Sequence, residues 1–359
     1  MSKIRVLIVD DSVLFRSQIQ LALTDCPEIE VVGASSNGKL ALERLKTTPA
    51  DLMILDLEMP VMDGMTTLMT MKEQGIKTRV ILFSSQSRSG AEKTLEALHL
   101  LGATDFVAKP SAEGPQHSPS EKIRQALYPK ILSLFHRPSP ESKTAASPPP
   151  AKASYPSVLW ETFRPEVLVI ASSTGGPNAL LEFFENFKGE VPYPILVAQH
   201  MPPLFTTSLA ERLGVTGQRR SKEAENGELL QANTIYVAPG DYHLKLSGSK
   251  EKVYAHIDQG PQRNFVRPCA DHLFETAAAI YGRNTLGVVL TGMGRDGAQG
   301  AKVIKDAGGA VLIQNKASCV VYGMPGATFD LGAFDREGAP SELARIVQGL
   351  VRGGGQRVA

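Results

Sequence analysis

The sequence predicts an α/β protein of two doubly wound parallel-sheet domains joined by a flexible linker, and three observations carry that expectation. Short apolar runs alternate with amphipathic helical patterns from residue 4 to about residue 135, the rhythm of successive βαβ units. A proline-, serine- and alanine-rich stretch, RPSPESKTAASPPPAKASYPS, breaks the rhythm over residues 137–157. Beyond it, Val167-Leu168-Val169-Ile170 runs into Ala171-Ser172-Ser173-Thr174-Gly175-Gly176, which reads as a buried parallel strand ending at a helix N-terminus. Open α/β sheets bind ligands at the carboxyl ends of their strands, so Ser173 stands where chemistry is expected. Small residues at such a turn also serve simply as helix caps.

Composition narrows the class. At roughly 100–200 residues per domain, a chain of 359 residues has room for two. Apolar residues make up 42% and charged residues 21%, enough to bury cores, and a net charge of +1 gives no bulk attraction to nucleic acid or to a membrane surface. Cys26, Cys269 and Cys319 are scattered without metal-ligand spacing and read as free thiols. No apolar run reaches membrane-spanning length, and Met1-Ser2-Lys3-Ile4 enters a strand without a signal-peptide core, so a cytoplasmic protein without membrane insertion is expected.

In the first half, strands are predicted over 4–9, 30–34, 51–55, 79–83 and 104–107. Helices are predicted over 13–23, up to 45, and over 65–74, 91–101 and 121–135. Asp10 and Asp11 follow the first strand, Asp56 the third, Ser84 ends the fourth and Lys109 follows the fifth. Converging carboxylates raise one another's pKa unless a cation shares the site, and an oxygen-only set suits Mg2+. Asp56 can then act as nucleophile toward a phosphoryl donor, with Lys109 neutralising the new charge and the Ser84 hydroxyl donating to it. A lone strand-end aspartate is more often a helix cap; five such residues at the ends of four strands are a site.

Val-Asp10-Asp11-Ser, Leu-Asp56-Leu-Glu-Met-Pro60, Asp63-Gly64, Phe-Ser84-Ser and Ala-Lys109-Pro110 together make residues 1–125 resemble a response-regulator receiver domain. The resemblance implies a flavodoxin-like fold, Asp56 as phosphoacceptor for a chemotaxis histidine kinase, and Mg2+ at Asp10, Asp11 and Asp56. It also implies that the Glu58 backbone carbonyl faces the metal and that the Lys109–Pro110 bond is cis. Phe106 stands where receivers often carry a tyrosine, so an aromatic switch there would be purely steric.

The stretch over 137–157 lacks an apolar period and is expected to be an extended tether. In the second half, strands are predicted over 193–198, 286–290 and 310–314, with helices after Pro177, over 300–307 and from Ser341. The segments 234–238 and 253–257 read as strands that can pair as an antiparallel hairpin, and the Gly353-Gly-Gly355 tail as mobile. His200 and Asp296 follow two of these strands. A serine hydroxyl needs a base, an imidazole suits that task near neutral pH, and a carboxylate orients the ring, so Ser173, His200 and Asp296 form a candidate triad. Backbone N–H groups of the Gly292–Gly294 turn can stabilise an oxyanion. His243, His256 and His272 are rival bases, and no GxSxG elbow is present.

Ile-Ala-Ser-Ser173-Thr174-Gly175-Gly176, Gln199-His200-Met-Pro-Pro, Val-Ala-Pro-Gly240, Leu-Thr-Gly-Met293-Gly-Arg-Asp296-Gly297 and Ala317-Ser-Cys-Val-Val-Tyr-Gly-Met-Pro325 look like the catalytic domain of CheB-type protein-glutamate methylesterases. That resemblance implies a Rossmann-like serine hydrolase without a cofactor, acting on glutamate methyl esters, and on glutamine amides, of methyl-accepting chemoreceptors. Ser173 becomes the nucleophile, His200 the base and Asp296 its orienter, with the Met293 and Thr174 backbone N–H groups at the oxyanion. The expected organisation is a receiver over 1–136, a linker over 137–157, a catalytic domain over 158–352 and a tail over 353–359. Ser172 replaces a frequent glycine, and Arg295, in place of a frequent asparagine, is a candidate reader of acidic residues on the substrate. A transcriptional regulator would need a basic helix-turn-helix, and a nucleotide-binding output domain a P-loop or GxGxxG; neither motif occurs.

Overall fold

The computed structural model describes residues 2–110, 118–135, 158 and 160–351. The linker (137–157) and tail (353–359) expectations lie outside these residues. Contacts divide the chain into two compact units, Met1–Ala145 and Ala146–Ala359.

In the first unit, β1 (Ile4–Val9), β2 (Ile29–Ser35), β3 (Leu52–Leu55), β4 (Arg79–Ser84) and β5 (Asp105–Ala108) form one parallel sheet in the order β2-β1-β3-β4-β5. Between and after them run α1 (Val13–Thr24), α2 (Gly38–Thr47), α3 (Gly64–Glu73), α4 (Arg88–Leu101) and α5 (Pro119–Leu134). Each helix starts where the sequence supplies an oxygen for its unpaired N–H groups, from Ser12, Asn37, Asp63, Ser87 and Ser118. The chain order reverses between β1 and β3, so Asp10 and Asp56 emerge at the switch point, where such sheets bind ligands. The cis Lys109–Pro110 bond implied by the receiver resemblance is not found; among the described residues the cis bond is Arg267–Pro268. Trans is the default by about 0.5–1 kcal/mol even before proline, and from it Lys109 still reaches both carboxylates of the site.

The second unit is a seven-stranded parallel sheet with helices on both faces. Its strands are β6 (Val167–Ser172), β7 (Ile195–Gln199), β8 (Arg220–Glu223), β9 (Thr234–Val237), β12 (Thr285–Val289), β13 (Ala310–Gln314) and β14 (Arg336–Gly338), in the order β14-β13-β12-β6-β7-β9-β8. The helices are α6 (Gly176–Asn186), α7 (Phe205–Gly217), α8 (Ala270–Tyr281), α9 (Ala298–Asp306), α10 (Met324–Asp330) and α11 (Pro340–Val351). Every residue of β6 is buried, as a strand covered on both faces requires. Val167, Val169 and Ala171 pack with Phe274, Ala277 and Ile304 in one core cluster.

One pairing differs from expectation. The segment 234–238 was expected to pair with 253–257, but β9 joins the large sheet between β7 and β8. The hairpin partner of β11 (Lys252–Asp258) is β10 (His243–Ser249), which reaches it across a two-residue turn. A local hairpin closes far less chain than the predicted pairing, and every position of β9 is buried, as an interior strand requires. No described helix is long and apolar enough to cross a membrane.

Candidate functional site

The order of strands brings the candidate residues together. β6 lies between β12 and β7, so the loops after all three meet at one edge. Ser172 pairs with Gln199, and the His200 N–H donates to Ser172 O at 3.1 Å, which sets His200 beside Ser173. On the other flank the Ser173 N–H donates to Thr291 O at 3.0 Å, in the loop that leads to Asp296. His200 Nε2 lies 2.8 Å from Asp296 Oδ2. A carboxylate only accepts, so Nε2 carries the proton and Nδ1 is the free basic nitrogen. Among the described residues the Ser173 hydroxyl makes no hydrogen bond; the contact to the imidazole is one that free enzymes commonly complete with substrate.

Asp296 is held from all sides. Its Oδ2 also accepts from the Ala270 N–H at 2.7 Å, and its Oδ1 accepts from the Asp271 N–H at 3.1 Å, the Cys269 thiol at 2.9 Å and Asn264 Nδ2 at 3.0 Å. Ala270 and Asp271 open α8, whose preceding residue supplies no cap, so the carboxylate of Asp296 caps that helix from outside. Burial pushes the carboxyl up, yet the imidazole, the thiol and the helix amide hold it well below the usual carboxylate range. The Cys269 thiol is driven up by burial and by the charge of Asp296, and so remains a donor. Asn264 Nδ2 also reaches Asp271 Oδ2 at 2.9 Å, tying two buried carboxylates together.

Close backbone approach explains the glycines. A Cβ on Gly292 would fall 2.8 Å from Ser173 Cβ, so only glycine lets this turn press against the serine. Gly175 takes φ of 75°, and a Cβ there would strike Val320 at 2.6 Å. Neither the Met293 nor the Thr174 backbone N–H has a partner among the described residues, which leaves both available to an oxyanion. The Ser172 hydroxyl donates to Gln199 Oε1 at 2.6 Å, and Gln199 Nε2 donates to Ser173 O at 3.0 Å, so one buried amide clamps the turn.

The rival histidines face other partners. His243 is buried, with Nδ1 accepting from the Cys269 N–H at 3.2 Å and Nε2 donating to Pro261 O at 3.1 Å. His272 stacks edge-on against His243 at 4.7 Å, and His256 lies 3.4 Å from Asp258. Arg295 is exposed. Asn264, Cys269 and Gln199 were not singled out from the sequence as parts of the site. Gln199 stands in the Gln199-His200-Met-Pro-Pro motif, but nothing in Arg267-Pro-Cys-Ala-Asp271 hints that Asp296 caps the helix that follows.

In the first unit, Asp10, Asp11 and Asp56 each place an oxygen within 4.8 Å of the others. Lys109 Nζ lies 2.7 Å from Asp56 Oδ2 and 2.9 Å from Asp10 Oδ2. The latter oxygen is buried and accepts no aligned hydrogen bond, so a hard cation fits this oxygen set. Burial raises the pKa of Asp56 against the pull of Lys109. Burial also works against the lysine's charge, but its hydrogen bond to Asp56 and its ion pair with Asp10 outweigh that and hold it above its ordinary value. The Ser84 hydroxyl is turned away, donating to Gly90 O at 3.2 Å and accepting from Thr94 at 2.8 Å. The Glu58 N–H donates to Asp56 Oδ1 at 3.3 Å, and Phe106 is buried.

Comparison with known proteins places both units. The family described as CheB methylesterase matches residues 168–347, and the response regulator receiver domain matches residues 6–116. A protein-glutamate methylesterase/protein-glutamine glutaminase of Trichodesmium erythraeum is 40% identical over 339 residues, 94% of this chain and 96% of that protein. A second, from Caulobacter vibrioides, is 42% identical over 336 residues, 91% of this chain and 93% of its own. The crystal structure of the Thermotoga maritima CheB methylesterase catalytic domain is 42% identical, covers 52% of this chain and 99% of that one, and superposes with a TM-score of 0.51. The chain belongs to the CheB methylesterase family, with a response-regulator receiver domain ahead of the catalytic domain.

Proposed function

We propose that this chain hydrolyses γ-glutamyl methyl esters on the cytoplasmic helices of chemoreceptors, and deamidates glutamine there by the same acyl chemistry. Ser173 Oγ attacks the ester carbonyl as its proton passes to His200 Nδ1, and Asp296 stabilises the resulting imidazolium through Nε2. The Met293 and Thr174 N–H groups receive the oxyanion, a contribution of roughly 3–4 kcal/mol per donor. Collapse of the tetrahedral adduct expels methanol, which takes the proton from His200 and leaves Ser173 acylated. Water, deprotonated by the same nitrogen, then releases glutamate and restores the serine. Arg295 faces acidic residues of the substrate. What supports this reading most is the 2.8 Å contact of His200 with Asp296 at the edge where Ser173 emerges.

Regulation follows from the receiver domain, taken as 1–136 and tethered by 137–157 to a catalytic domain over 158–352. Asp56 attacks the phosphorus of a histidine kinase's phosphohistidine, whose P–N bond breaks as the kinase imidazole leaves; Lys109 offsets the charge of the acyl phosphate, and Ser84 leaves Gly90 to donate to it. Asp10, Asp11 and Asp56 would hold Mg2+, which supplies neutralising charge when bound. A short tether gives a millimolar effective concentration, so phosphorylation of the receiver can change the activity of the catalytic domain in the cytoplasm. The test is methanol release from methylated receptor with and without a small phosphodonor and Mg2+. The rate is expected to rise with both present, and Asp56→Ala to abolish the rise; no methanol under any condition overturns the reading.

A further inference from the structure

The loop between β11 and α8 touches the triad on one side and carries an unusual side chain on the other. Asn264 and Phe265 take φ of 55° and 62° in succession, a left-handed backbone that a bulky aromatic rarely adopts. Phe265 is 91% exposed, more than any other large apolar residue described. Its loop is braced: Arg263 Nη1 donates to Glu275 at 2.8 Å, and Arg267 donates to Asp241 at 2.7 Å and to Gly260 O at 2.9 Å. Asn264, the residue before it, donates to Asp296 at 3.0 Å. A strained, exposed ring on a braced loop is pre-organised for contact, because its shape is already set before a partner arrives.

A second residue repeats the pattern across the site. Leu204, four residues beyond His200, is exposed and takes φ of 71°. Among the described residues of the second unit, Leu204 and Phe265 are the large apolar side chains held at positive φ. Both lie on loops that adjoin the triad, one next to His200 and one against Asp296. Small esters need no such grips at the rim, whereas a helix offering one esterified glutamate presents side chains to either side of it.

We propose that Phe265 and Leu204 grip apolar side chains of the substrate protein's helix on either side of the modified glutamate, and so determine specificity for protein over small esters. The inference rests on the hydrolase reading and names the surface by which that site selects its substrate.

The test is steady-state methanol release from methylated receptor beside hydrolysis of N-acetylglutamate γ-methyl ester, with thermal melts as a check on folding. Phe265→Ser and Leu204→Ser are each expected to raise KM for receptor about tenfold, with kcat/KM on the small ester within about twofold of the unsubstituted enzyme. Phe265→Leu is expected to restore most of the lost affinity. An unchanged KM for receptor overturns the proposal, as does an equal loss on both substrates, which would mean that Phe265 acts through Asn264 on the triad. If the unsubstituted enzyme releases methanol from neither substrate, the hydrolase reading fails and the grip with it; if it does and Phe265→Ser behaves identically, the grip alone fails.

Discussion

Ser172 is fully buried with its hydroxyl on Gln199, whereas Ser173 follows the strand half-buried with its hydroxyl unengaged. A serine-directed fluorophosphonate is therefore expected to label the native protein and Ser172→Ala, and to miss Ser173→Ala, whose methanol release falls by about 10⁴-fold or more. Label lost in Ser172→Ala instead would reverse the assignment. The donors around Asp296 make a second prediction. Each donor stabilises the charged carboxylate, so removing one raises the pKa of Asp296 and brings loss of the orienting charge to higher pH. Asn264→Gly removes the amide while tolerating φ of 55°, and Cys269→Ala removes the thiol. Both should move the acid limb of kcat/KM to higher pH, whereas Cys269→Ser, which keeps a donor, should leave it in place. A uniform loss at every pH would assign these residues to packing alone. The placement of Ser173, His200 and Asp296 at one sheet edge was legible because serine, histidine and aspartate each follow an apolar run. Asn264 and Cys269 were not, because nothing local marks a side chain that serves a carboxylate 32 or 27 residues away.

At the scale of elements, the two units begin their helices differently. Those of the receiver are each capped by a residue of their own, and all five were expected from the sequence. In the catalytic unit α6, α7, α8 and α9 begin without a side-chain cap of their own. At α8 the missing oxygen comes from Asp296, so one carboxylate orients the imidazole and secures a helix. Its folded pKa lies below the unfolded value of about 3.9. The stabilisation is thus fully present above that value and is lost as pH falls through the folded one. Asp296→Asn should lower the melting temperature of the catalytic domain at pH 7 by several degrees, for about 2 kcal/mol of charge-assisted bonding. The gap should close as pH falls below 4; a pH-independent gap would deny the cap. Strands with strong apolar runs were legible to within a residue or two, such as 310–314. The edge strands β8 and β14 read Arg-Ser-Lys-Glu and Arg-Glu-Gly and carry no apolar period, since an edge needs little burial.

For the whole molecule, inhibition by the unmodified receiver predicts that deleting residues 1–140 raises basal methanol release and abolishes its response to phosphodonor. An unchanged basal rate removes inhibition by the receiver as the mechanism. The sequence by itself determined the class of both sheets, the composition of the stretch between them and which residues leave the strand ends, because burial on two faces and helix starts impose local patterns. It also placed Asp10, Asp56 and Lys109, whose strands follow one another in a short domain. Only the tertiary structure decided that β6 lies between β7 and β12, that β9 belongs to the main sheet rather than to a hairpin, and that His200 turns Nε2 toward Asp296. Strand neighbours are chosen by packing across the whole sheet, and an apolar run looks the same whichever strand it pairs with.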